Sequence, residues 1–180
     1  MAQEPSCSVR WPWIERKFNF DFPVGKFPEV LERVRGTPVR VAERVAGLSP
    51  AVLTHDDGKG WSIQENIGHL IDVEPLFVRR VEELMAGAAV LSPADMSNQK
   101  THAANYNDRP IAALLAELRS QRGWLVARLE ALDEPDWSRT AVHPRLQQPM
   151  RLVDLVFFVS EHDDYHLARI GELIRTAGQG

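Results

Sequence analysis

From Phe27 onward the apolar residues fall on helical stripes. Phe27, Val30, Leu31, Val34, Val41, Val45 and Leu48 are separated mainly by three, four and seven positions, which places them along one side of a helix. Gly36-Thr37-Pro38 interrupts this stripe. Either Thr37 caps a second helix with Pro38 at its first position, or one helix bends there. The stripe keeps its phase through Pro38, so a single bent helix is predicted.

A polar loop, residues 54–60, precedes the second helix. Ser62-Ile63-Gln64-Glu65 has the form of a capping box, and Ile63, Ile67, Leu70, Ile71, Phe77, Val78, Val81, Leu84 and Met85 carry the stripe to about Gly87. Pro75 should bend this helix, because its ring collides with the carbonyl of Ile71. Residues 88–109 are a long connection with a short turn of helix. Pro110 opens the third helix, striped by Ile111, Leu114, Leu115, Leu118, Leu125, Leu129 and Leu132. A second long connection, 133–149, holds Pro135, Pro144 and Pro149. The fourth helix runs from about Arg151 to Thr176, with Gly178 as its terminator. No run of strands is evident. Four long amphipathic helices in 180 residues predict an all-α fold, a four-helix bundle over residues 27–180.

Residues 1–26 do not follow that pattern. They hold Trp11, Trp13, Phe18, Phe20 and Phe22, too many aromatics for a disordered tail. They read as an N-terminal extended strap laid over the bundle, with Phe18–Phe22 as one short extended segment.

Composition narrows the function classes. A net charge of −4 and a pI near 5.9 lack the basic footprint of a nucleic-acid binder. No apolar run approaches the roughly 20 residues that cross a bilayer, and the start of the chain has no secretory pattern. A cytoplasmic protein without nucleic-acid or membrane partners is expected. Cys7 is the one cysteine, which rules out an internal disulfide and Cys-rich metal sites. Histidine remains as the residue type for chemistry.

Glu161-His162-Asp163-Asp164-Tyr165-His166 lies on the fourth helix. His162 and His166 are four apart, which stacks them on one face about 5–6 Å apart and lets two imidazoles share one ion. They continue the apolar line of Leu155 and Val159. His69 flanks the stripe of the second helix, in line with Val73 and Leu76. Facing helices of a bundle lie about 8–10 Å apart, so imidazoles from both sides can converge at metal–nitrogen distances of roughly 2.0–2.1 Å. Three neutral imidazoles suit Zn, Ni, Cu or Fe(II) and leave coordination positions open. The plain alternative is three packed histidines with no ion.

Trp61-Ser62-Ile63-Gln64-Glu65-Asn66-Ile67-Gly68-His69-Leu70-Ile71-Asp72 resembles the second-helix signature of the DinB-like superfamily. Glu161-His162-Asp163-Asp164-Tyr165-His166-Leu167-Ala168-Arg169-Ile170 resembles its last-helix signature. The similarity covers roughly residues 27–177; the strap is not part of the family pattern. The resemblance implies a four-helix bundle and a divalent metal, commonly Zn or Ni, on His69, His162 and His166. It further implies a homodimer and either hydrolysis or low-molecular-weight-thiol transfer on a small-molecule substrate, as in bacillithiol- and mycothiol-dependent relatives. With Cys7 in the strap, a thiol would arrive as a cosubstrate. The competing reading is a non-catalytic metal-binding or stress-related bundle acting through dimerisation.

Among the acids, Asp72, three after His69, is the first candidate for a catalytic role. Asp72 and Asp163 can each orient a histidine from behind or move a proton; the plain reading of each is a solvated helix residue. Glu161 and Asp164 read as outward-facing and Glu65 as a cap. Trp61 is expected to pack over the start of the second helix. Tyr106 reads as cleft-lining or structural. Arg122, which interrupts the third stripe, is read first as the partner of a core-edge carboxylate and second as an anion binder. His55, His102 and His143 are expected in solvent-facing loops, with His102 or His143 able to approach the bundle mouth.

Overall fold

The computed structural model describes residues 10–177; Cys7 and Gly178 lie outside them. The first stripe forms two helices, α1 (Phe27–Arg35) and α2 (Thr37–Val45), rather than one bent one. Gly36 keeps a helical backbone (φ −72°, ψ −15°), and the Gly36 N–H and the Arg40 N–H both make helix-type bonds of 3.0 Å across the corner. Pro38 has no N–H to give the carbonyl of Val34. That carbonyl accepts instead from Nη1 of Arg122 at 2.9 Å. Thr37 makes no side-chain cap; its hydroxyl donates to Asp163 at 2.7 Å.

A four-residue helix, α3 (Pro50–Leu53), capped by Ser49, precedes the 54–60 loop. α4 (Ile63–Met85) starts at the expected capping box: Ser62 accepts from the Glu65 N–H and Glu65 accepts from the Ser62 N–H. Pro75 lies inside α4 on its exposed side, and the helix continues past it. The following connection contains α5 (Gln99–Ala103) and a 3₁₀ turn at Tyr106–Asp108. α6 (Ile111–Glu130) and α7 (Leu152–Ala177) complete the bundle. No helix among the described residues is long and apolar enough to cross a membrane.

α4 packs against α6 and α7, and the α1–α2 pair packs against the same two helices. The first long helix therefore lies diagonally across from the second, and the third across from the fourth. Long connections before α4 and α7 make these diagonal crossings possible.

The connection before α7 corrects the expectation of no strands. It carries an antiparallel hairpin, β1 (Thr140–His143) with β2 (Gln148–Arg151), in which Ala141 faces Met150 and His143 faces Gln148. Residues 89–91 run alongside, with a 2.9 Å bond from the Val142 N–H to the Ala89 carbonyl. Side chains alternate on a strand, so Ala141 and His143 both turn inward and are buried.

The strap also packs on the body. Phe18, Phe20 and Phe22 lie against the core, and Arg151 holds the strap by donating to the carbonyls of Phe20 and Phe22 at 3.0 and 2.9 Å. Arg10 reaches Glu172 of α7 at 2.8 Å.

The core is in two parts. One gathers Val34, Phe77, Leu125 and Val159 with their neighbours; the other gathers Val41, Leu70, Leu118 and Ile170 with theirs. Between them each long helix contributes a buried side chain to one polar network: Thr37, Glu74, Arg122 and Asp163. Arg122 donates Nε to Glu74 at 2.7 Å and Nη1 to Asp163 at 2.5 Å.

Candidate metal centre

His69 comes from the middle of α4, and His162 and His166 from successive turns of α7. All three are buried. Ring centroids are 5.3 Å apart for His69–His162, 4.8 Å for His69–His166 and 4.6 Å for His162–His166. One nitrogen from each ring can be chosen so that all lie within 4.8 Å of one another. Trp61 closes one side, its ring 4.6 Å from that of His69. Trp13 of the strap closes another, with its ring edge-on to His162 at 5.0 Å.

The hydrogen bonds fix which nitrogens are available. The Thr101 hydroxyl donates its proton to Asp72 at 2.9 Å. It can then only accept from His69 Nδ1, which lies 3.2 Å away. The Nδ1 of His69 therefore carries the proton, and its Nε2 presents a lone pair. Asn66 works the same way. Its amide nitrogen donates to the carbonyls of Trp61 and Ser62 at 3.0 and 2.7 Å, so its oxygen must accept from His166 Nδ1 at 2.9 Å. His162 differs: its Nδ1 is buried with no partner among the described residues.

Burial also removes charge from these rings. Desolvation pulls the His69 pKa down to about 4, against a smaller opposing pull from Asp72. His162 and His166 lie well below the ordinary histidine value, through burial first and then the neighbouring imidazoles. The trio is neutral at pH 7, the protonation state in which imidazole binds metals. Two tautomers locked from behind, a third ring with an orphaned buried nitrogen and no charge on any of them fit a divalent ion.

Asp72 sits behind this trio. Besides Thr101, it accepts from the Tyr106 hydroxyl at 2.7 Å and pairs with Lys100 at 3.0 Å. Its hydrogen-bonded route to His69 runs through Thr101. Burial and the Asp72 bond raise the Tyr106 pKa above the ordinary tyrosine value, so the phenol stays a donor. Gly68 makes room for this ring: a Cβ there would lie 2.2 Å from Tyr106 Cδ2.

Other expectations are corrected. Asp163 is neither solvated nor behind a histidine; it is fully buried, and its carboxylate is taken by Arg122 and Thr37. Asp163 adjoins His162 in sequence, but the 100° turn per residue points its side chain into the bundle centre. Arg122 does pair with carboxylates, in the centre of the core rather than at its edge. Glu161 and Asp164 face outward as expected, in ion pairs with Arg33. His55 and His102 are exposed, and His102 reaches the cavity mouth as expected, its ring 5.6 Å from that of Trp61; His143 is instead buried on β1 and lines the cavity beside the trio.

Asn66, Thr101 and Trp13 were not singled out as site residues by the sequence. A signal existed for Asn66, a polar residue on the buried side of α4 one turn before His69. Thr101 and Trp13 lie in irregular stretches where periodicity says nothing about facing. The cavity over the trio measures about 1210 Å³ and is lined by Trp13, Trp61, Phe77 and Phe158 among others.

The sequence profile of the DinB superfamily matches residues 33–170, which includes all three histidines. The chain belongs to the DinB superfamily. A solved structure of similar architecture is YfiT from Bacillus subtilis, described as a probable metal-dependent hydrolase with an unusual four-helix bundle topology. It superposes with a TM-score of 0.78 at 20% identity, over 91% of this chain and 94% of that one. At that identity the likeness speaks for the fold. No curated protein matches this DinB chain.

Proposed function

We propose that the protein is a divalent-metal-dependent enzyme acting on a small molecule, with His69, His162 and His166 as the ligands. The observation that carries this reading is the convergence of three buried, neutral imidazoles, two of them with the proton held on Nδ1, at one end of a cavity. A divalent ion held there, Zn or Ni in the first instance, would supply a Lewis acid with positions left for water, a thiol or substrate.

The chain's own groups have separable tasks. Thr101 and Asp72 hold the His69 proton on Nδ1, and Asn66 does the same for His166. Trp13, Trp61 and Phe77 exclude water around the rings. Asp72 takes part through Thr101, as a positioning residue. Hydrolysis is the first reading for the reaction. Transfer to a low-molecular-weight thiol is the second, and the cavity favours it: about 1210 Å³ exceeds the ~300–1,000 Å³ of common ligand pockets, room for a substrate and a cosubstrate side by side.

Elemental analysis of the purified, untagged protein tests the reading. One divalent transition-metal ion per chain is expected, removable by chelation and restored by Zn or Ni. Protein that holds less than a tenth of an equivalent after incubation with either metal would overturn it. A finer test is Thr101→Val, which keeps the shape of the side chain and removes the link between Asp72 and His69. Loss of such a supporting partner should weaken metal affinity about 10–100-fold, read by competition with a chromogenic chelator, while metal stoichiometry at saturation stays unchanged.

A further inference from the structure

Another group of side chains lines the same cavity, supplied by the hairpin and α4. Arg80 of α4, His143 of β1 and Arg145 of the hairpin turn all face it. Arg80 and His143 are each 2% exposed. Among the described residues neither Arg80 nor Arg145 forms an ion pair.

Each donor can be followed to its partner. Arg80 donates Nε and Nη2 to the carbonyl of Ser92 at 2.9 and 2.8 Å, a neutral acceptor. Glu83, the acid whose charge acts on Arg80, is itself engaged by the N–H and hydroxyl of Ser92. Arg145 donates Nη1 to the Ile14 carbonyl at 3.0 Å, while its Nη2 is buried without a partner among the described residues. His143 accepts the Leu146 N–H on Nδ1 at 3.2 Å. Its proton must then sit on Nε2, which is also buried and unpartnered.

Two orphaned buried donors and two unpaired guanidinium charges on one cavity wall are costly unless something anionic joins them. The groups sense one another. Burial lowers the Arg80 pKa to about 10, against an opposing pull from Glu83 and with a smaller contribution from Arg145. Burial and then the fields of Arg80 and Arg145 lower that of His143 to about 3. His69, His162 and His166 line the same cavity as this wall.

We infer that Arg80, Arg145 and the Nε2–H of His143 form an oxyanion subsite that binds a carboxylate or phosphate group of the substrate and directs the rest of that molecule toward His69, His162 and His166. The floor fits an apolar body: the Arg145 guanidinium lies over the rings of Trp13 and Phe158 at 5.6 and 5.7 Å, and Phe77 lines the same space. A flat guanidinium on aromatic rings presents its edge to a planar anion. The inference rests on the cavity being the substrate site, and does not require the metal to be bound.

Isothermal titration calorimetry with benzoate, phenyl phosphate and neutral benzamide tests it, on metal-loaded and chelated protein, wild type and Arg145→Gln. At least one of the two anions should bind the wild type ten-fold or more tightly than benzamide, and which one does identifies the group recognised. Arg145→Gln should bring that anion to the benzamide level in both metal states. Anions that bind no better than benzamide, or equally well to Arg145→Gln, would overturn the subsite. So would an anion preference that disappears on chelation, since the ion itself would then be the receptor. Should Arg145→Gln lose its helical circular dichroism, His143→Gln is held to the same criteria. Metal content measured on the same samples separates the two ideas: Arg145-dependent anion binding in protein that takes up no metal keeps the subsite and rejects the metal centre.

Discussion

Replacing Arg122 with alanine should lower the unfolding free energy by about 3–5 kcal/mol, the cost of breaking a buried ion pair by removing one partner. Arg122 and its two carboxylate partners are almost wholly shielded from solvent. Burial opposes its charge, yet Asp163 and Glu74 together raise its pKa above the ordinary arginine value. Glu74 is pushed the other way: burial raises its pKa, and Arg122 opposes that rise. Without the guanidinium, two carboxylates remain in hydrocarbon, one of which already has an unpartnered oxygen. The carbonyl of Val34, freed by Pro38, also loses its donor. Urea denaturation followed by circular dichroism reads the effect. The control is the triple variant Arg122→Met, Glu74→Met, Asp163→Leu, which removes every charge together and should lie much closer to the wild type. A loss below 1 kcal/mol for Arg122→Ala would contradict the account.

The second large effect concerns His162. A ligand that binds only the folded state stabilises it by RT ln(1 + [L]/Kd), about 4 kcal/mol at a thousand-fold excess over Kd. Wild-type protein saturated with Zn or Ni should gain that much over its chelated form. His162→Ala should gain almost nothing, because two remaining imidazoles hold the ion far less tightly than three. Comparing each protein with its own chelated form cancels the cavity left by the missing ring. The helical circular dichroism of the variant should match the wild type. Equal metal-induced stabilisation in both proteins would remove His162 from the ligand set.

The parts legible in the sequence were those governed by periodicity. The four long stripes became α1–α2, α4, α6 and α7, because one buried side at helical spacing has few other solutions. The Ser62–Glu65 cap was legible because both partners lie within one turn. His162 and His166 were legible as a pair for the same reason, and the DinB-like signatures linked them to His69. The hairpin was not: each strand has four residues, and β2 contains Pro149, which counts against a strand when read alone. Asp163 was misread because helical angles alone could not tell which neighbouring helix its side chain would meet, and Arg122 lies 41 positions away. The cavity side of His143 was equally hidden, since it depends on β1 alternating against a core that only the folded chain creates.

The belt of Thr37, Glu74, Arg122 and Asp163 has a consequence for the imidazoles beside it. Sliding any one long helix by a single turn, about 5.4 Å, would carry its member of the belt into the apolar half above or below and strand a charge or hydroxyl there. The belt thus acts as an axial latch on all four helices. His162 is the residue before Asp163, and His69 lies five before Glu74, so the two helices that present the rings are locked in height relative to each other. The height at which the three nitrogens meet is thereby set from inside the bundle.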